Sequence, residues 1–152
     1  MSAFDVNRRT ILKAEAALAA AGTLSPVSAF AKSETPVRIG HIEALTGTYA
    51  ALGINYVNGA KLAVEQINAK GGILDRPVVL VIEDGAANPG LAAQKARELI
   101  DRNKVDFLIG SASSAVALTI SQTAHELNKI YIETASHTDA VTGSKCNWNT
   151  FR

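Results

Sequence analysis

An α/β fold, with a parallel sheet flanked by helices, is what this sequence predicts, and three observations predict it. Strand-like and helix-like stretches alternate from residue 37 onward, the pattern of strand–helix–strand units joined by right-handed crossovers. Pro77-Val78-Val79-Leu80-Val81-Ile82 is a continuous apolar run, as expected of a strand covered on both faces. Three turns of small, hydroxylated residues, at 45–53, 110–114 and 134–139, each follow a strand-like stretch. The topology gathers such turns on one edge of the sheet, where open α/β folds bind ligands.

Val37-Arg38-Ile39-Gly40-His41-Ile42 reads as the first strand, behind Pro36, which cannot donate to a ladder. A loop from Glu43 to Gly53 follows, centred on Leu45-Thr46-Gly47-Thr48. Val57, Ala60, Val64 and Ile67 are then spaced three and four apart, as on the buried stripe of a helix. Lys61 and Glu65 lie one turn apart on its solvated side. Ala69-Lys70-Gly71-Gly72 ends it, the glycines supplying a left-handed cap and the lysine complementing the dipole. The second strand runs into Glu83-Asp84-Gly85, and Asn88-Pro89 is an N-cap followed by proline at the first helical position. Ala92, Ala96, Leu99 and Ile100 form that helix's buried stripe.

Val105-Asp106-Phe107-Leu108-Ile109-Gly110 is the next strand. Its turn, Ser111-Ala112-Ser113-Ser114, opens a helix with Val116, Ile120, Ala124 and Leu127 on one face. Gly110 permits a sharp turn and close backbone approach. Ser113 or Ser114 can cap the helix through a side-chain oxygen. The free N–H groups and partial positive charge of the same helix end can receive a carboxylate or phosphate. Both roles, cap and ligand contact, stay open at this point. Ile130-Tyr131-Ile132-Glu133 is the last clear strand and leads into Thr134-Ala135-Ser136-His137-Thr138-Asp139.

The 152 residues carry a net charge of +1, which makes no case for nucleic acid or an anionic membrane surface. Three histidines and one cysteine, scattered without ligand spacing, argue against a metal site. None of the turns has the dinucleotide fingerprint or the phosphate loop, and no cofactor is expected. At the amino terminus, Asn7-Arg8-Arg9-Thr10-Ile11-Leu12-Lys13 resembles the twin-arginine export motif, with Asn7 and Ile11 as departures. An alanine-rich run from Ala14 to Ala21 follows, and Ala29-Phe30-Ala31 has the small-x-small pattern of a cleavage site. Residues 1–31 are therefore expected to be a signal peptide cleaved after Ala31, leaving a mature chain from Lys32 in the periplasm. The alternative is an alanine-rich amphipathic helix in a cytoplasmic protein.

Leu45-Thr46-Gly47, the run Asn58-Gly59-Ala60-Lys61-Leu62-Ala63-Val64-Glu65-Gln66-Ile67-Asn68-Ala69-Lys70-Gly71-Gly72-Ile73, and Asp84 through Asn88-Pro89 resemble the branched-chain amino-acid-binding family. These are the type I periplasmic solute-binding proteins of ABC importers, and the ending Ile67-Asn68-Ala69-Lys70-Gly71-Gly72 is the most specific element. The resemblance implies a solute-binding module, not an enzyme, that hands a branched-chain amino acid or related small carboxylate or amide to an ABC permease in the inner membrane. It implies that Ser113, Ser114, Ala135, Ser136 and His137 fall where the family binds its ligand, with the carboxylate on Ser114, a backbone carbonyl and a further polar contact from Ala135 and His137, and Leu52 lining the side-chain pocket. His137 stands where branched-chain binders commonly have threonine, which leaves room for an aromatic acid, an amide or another small carboxylate; its other role would be to cap the short segment from Asp139. His41 and His125 receive no role. Family members are two-lobed and much longer, so residues 32–152 are expected to be a partial first lobe, ending inside a further strand at Phe151-Arg152 and binding solute poorly alone. The rival functions are an exported α/β hydrolase using Ser114 and His137 as nucleophile and base, though without the usual nucleophile elbow, and a ligand-sensing regulator on the same fold.

Overall fold

The computed structural model describes residues 35–152; the twin-arginine motif, the alanine-rich run and the cleavage site after Ala31 lie outside the described residues. Five strands, β1 (Val37–Glu43), β2 (Val78–Asp84), β3 (Phe107–Gly110), β4 (Ile130–Glu133) and β5 (Thr150–Phe151), alternate with helices α1 (Ala50–Ala69), α2 (Pro89–Asp101) and α3 (Ser114–Glu126). A single turn of 3-10 helix at Asp139–Val141 precedes β5. All four strand pairings are parallel, in the order β2-β1-β3-β4-β5. The expected α/β class, with a parallel sheet and strands alternating with helices along the chain, is what the chain adopts.

The register explains which residues meet which helix. Gly40 lies beside Leu108 and Leu108 beside Tyr131, and side chains at paired positions share a face of the sheet. That face, with Ile42, Leu108 and Tyr131, packs on the apolar stripes of α2 and α3: Ala92, Ala96, Leu99 and Ile100 from one, Val116, Ala117, Ile120 and Ala124 from the other. Both stripes follow the helical spacing read from the sequence. On the opposite face Val37, Ile39 and Val78 meet Val64 and Ile67 of α1. At the edge formed by β5, Thr150 is tied to α3 by a 2.8 Å hydrogen bond between its hydroxyl and that of Ser121. Trp148 and Phe151 stay exposed beside it, with Trp148 edge-on to His125.

Local chemistry sets the ends of the elements. Asn88 caps α2 by accepting the Leu91 N–H at 3.0 Å, with proline at the first helical turn. The residues after α1 close through Gly71 N–H to Asn68 and Gly72 N–H to Ile67, both to backbone oxygens. Asn68 then joins α1 to β2: its amide oxygen accepts from Val78 N–H and its amide nitrogen donates to Val78 O. Several boundaries differ from expectation: β1 runs one residue further, to Glu43, and β3 starts at Phe107 and not at Val105. α1 begins at Ala50, not after Gly53, because the first turn from Tyr49 is already closed by hydrogen bonds from Leu52 and Gly53 to Tyr49 O. β2 continues through Asp84 because pairing with Ile42 and Glu43 extends that far.

Candidate functional site

The candidate site sits at the carboxyl ends of β1, β3 and β4, where their turns face the first two turns of α1. A cavity of about 370 Å³ is lined there by Tyr49, Leu52, Tyr56, Ala112, Ser113, Ser114, Ala115, Ala135 and His137. Two backbone approaches set its shape. Gly110 turns at φ +122°, and a Cβ there would lie 2.1 Å from Ile42 O, so only glycine lets the β3 turn close over β1. A Cβ on Gly53 would meet Ala44 O at 2.1 Å, so the absence of a side chain brings the start of α1 down onto the end of β1 and aims Tyr49, Leu52 and Tyr56 at the cavity.

Of the two roles left open for the serines of the turn after β3, capping is not the one that Ser113 takes. Ser113 occupies the N-cap position with extended backbone angles but makes no side-chain cap. Its N–H is accepted instead by the hydroxyl of buried Ser111, at 3.3 Å. The hydroxyls of Ser113 and Ser114 are thus left for the cavity, beside the N-terminus of a thirteen-residue helix. His137 is likewise released from its other candidate role: Thr138 caps the turn at Asp139–Val141 by accepting from Ala140 N–H.

Of the six residues predicted to bind, the structure brings five together, Ser113, Ser114, Ala135, His137 and Leu52. Ser136 is not among the lining residues. Its N–H is drawn to the carboxylate of Glu133, and its side chain is buried with the hydroxyl unpartnered. Tyr49 and Tyr56 were missed. Their signal was available, since Tyr49, Leu52 and Tyr56 are three and four residues apart and share one side of a helix that begins where a loop was expected.

Carboxylates at strand ends hold the turns. Asp84 accepts from Leu45 N–H at 2.9 Å, Thr46 hydroxyl at 2.7 Å and Ala86 N–H at 2.7 Å. Burial works against its charge, but those donors outweigh it and hold the carboxyl below its ordinary value of 3.8. The stability it lends is therefore present above that value and is lost as pH falls through its depressed one. Burial, together with the charges of Glu133 and Glu43, pushes the Tyr131 phenol well above its ordinary range. Tyr131 thus stays protonated and donates to Gly110 O underneath the turn.

The chain matches a family model described as periplasmic binding protein over residues 36–152. It is 39% identical over 100 residues to a Leu/Ile/Val-binding protein of Rhizobium johnstonii, covering 65% of this chain and 27% of that one. Among solved structures it resembles the branched-chain amino acid transporter substrate binding protein of Streptococcus pneumoniae in complex with isoleucine, at TM-score 0.69 and 28% identity over 73% of this chain and 32% of that one. A second is an ABC transporter solute binding protein from R. palustris in complex with benzoate, at TM-score 0.70 and 30% identity over 78% and 32%. The chain thus spans about a third or less of the length of the relatives it matches. The parallel sheet, the helix pairings and the family match over 36–152 make this chain a member of the periplasmic binding protein family.

Proposed function

We propose that residues 32–152 form part of the first lobe of an exported solute-binding component of an ABC importer. In this reading residues 1–31 direct twin-arginine export and are cleaved after Ala31, and the partner is an inner-membrane permease. The solute carries a carboxylate. The observation that carries the proposal is the cavity at the strand ends, where Ser113 and Ser114, with hydroxyls unspent on capping, flank the N-terminus of α3. A carboxylate there gains hydroxyl donors, unpaired backbone N–H groups and the helix dipole together. Opposite them Tyr49, Leu52 and Tyr56 present apolar and aromatic surface to the rest of the solute, and His137 adds a polar rim. Such a wall suits a branched aliphatic side chain or a flat ring. The related proteins seen with isoleucine and with benzoate support both classes.

Titrating the isotope-labelled chain with leucine, isoleucine or benzoate, and following backbone amides by NMR, tests this even for weak binding. The resonances of Ser113, Ser114, Ala115, Ala135 and His137 should move together on one binding curve. Ser114→Ala should weaken that curve roughly tenfold, the worth of a charge-assisted hydrogen bond. Shifts confined to other surfaces, or none at millimolar solute, would remove the site.

A further inference from the structure

Two turns that line the candidate site are each gripped from beneath by a buried glutamate on a strand other than β3. Glu43, the last residue of β1, is 1% exposed, and its Oε2 accepts the Ala112 N–H at 3.2 Å across 69 residues of chain. Its Oε1 has no hydrogen-bond donor and lies 3.7 Å from Nε2 of buried His41, whose two ring nitrogens are also unpartnered. Glu133, the last residue of β4, is 4% exposed. Its Oε1 accepts from Ala135 N–H at 2.6 Å and from Ser136 N–H, and its Oε2 lies 3.6 Å from Nε of Arg152. Carboxylates are seldom buried this deeply unless paired or hydrogen-bonded, and here one oxygen of each is directed at the backbone of the site.

We infer that Glu43 and Glu133 are positioning residues of the solute site. They fix the peptide planes of Ala112 and Ala135 so that the hydroxyls of Ser113 and Ser114 and the side chain of His137 converge on one cavity. The inference rests on the solute-site reading above and adds residues that do not line the cavity. Sub-ångström placement is what such a site needs from residues behind it, and charged acceptors hold an N–H more firmly than neutral ones.

The test compares Glu43→Met and Glu133→Met with Glu43→Gln and Glu133→Gln in the full 152-residue chain. Methionine keeps the volume and removes the acceptor, whereas glutamine keeps one acceptor oxygen. A buried ionic group exchanged for an apolar one of similar size can leave stability unchanged or raised, so binding and stability are separable. The methionine variants should weaken benzoate or leucine binding roughly tenfold, the glutamine variants by about threefold or less, with melting temperatures that do not follow that order. The Ala112 amide resonance should move in the Glu43 variants, and those of Ala135 and Ser136 in the Glu133 variants. If a methionine variant does not fold, the glutamine variant decides by its resonances: Ala112, or Ala135 and Ser136, amides that do not move on weakening the acceptor overturn the positioning role. Unchanged binding in the methionine variants beside a wild type that binds would overturn the positioning role and leave the site standing. So would losses that scale with melting temperature. A wild type that shifts no site resonance would instead overturn the site itself, and the positioning role with it.

Discussion

Along β4, Tyr131 and Glu133 are buried on the side that α2 and α3 cover, while Ile130 and Ile132 keep 45% and 37% of their surface exposed on the other. β3 repeats the pattern, with Leu108 fully buried and Phe107 and Ile109 only partly so. The two faces are built by alternate residues of the same strands and are similarly apolar, yet only one is sealed by two helices. On the other, among the described residues, α1 covers β1 and β2 and stops short of Ile130, Ile132 and Phe151, which are exposed. An apolar strand residue therefore marks where cover would be favourable, and the helices decide where cover is given. Stability in this chain should follow the helices.

That contrast can be broken most directly at Leu108. Leu108→Ala, on the sealed face, should cost about 2–5 kcal/mol through lost burial and the cavity left behind. Urea unfolding would show it, and a loss under about 1 kcal/mol would mean the sealed face is loosely packed. Asn88→Ala sharpens the comparison from outside the core, because it frees the α2 terminus without touching the sheet; about 1 kcal/mol should be lost in the same measurement. Ile132→Thr, on the open face, should change stability by no more than about 0.5 kcal/mol. A loss matching that of Leu108→Ala would show that the open face is covered in solution, and the contrast between faces would fail.

Much of this was legible in the sequence because the relevant forces are local. Periodicity placed the stripes of α2 and α3, and Asn88-Pro89 marked a helix start that the structure reproduces. Gly110 was readable as a turn that needs glycine. The misses come from interactions distant in sequence. The hydroxyl that steadies the start of α3 is that of Ser111, buried under a turn whose shape depends on Ile42. Glu43 read as the first residue of a loop and Glu133 as an ordinary strand end, since nothing nearby shows that one reaches Ala112 and that both are buried. The helical start at Ala50 was hidden because alanine and tyrosine after a glycine-threonine loop carry no capping side chain, and the structure shows none at Tyr49. With that boundary went the two tyrosines of the cavity wall.

The strand order has a consequence in time. β1 is first along the chain but lies inside the sheet, and its neighbours β2 and β3 start 41 and 70 residues after it begins, at Val78 and Phe107 against Val37. No local hairpin can satisfy its edges, so its ladder closes only when distant segments arrive. Pairings of that kind are slow because loop closure precedes any reward. A newly made chain therefore carries an apolar strand with two open edges until residue 84 has been synthesised and with one until residue 110, and its folding rate should be governed by the search of β3 for β1, whatever the strength of the finished core.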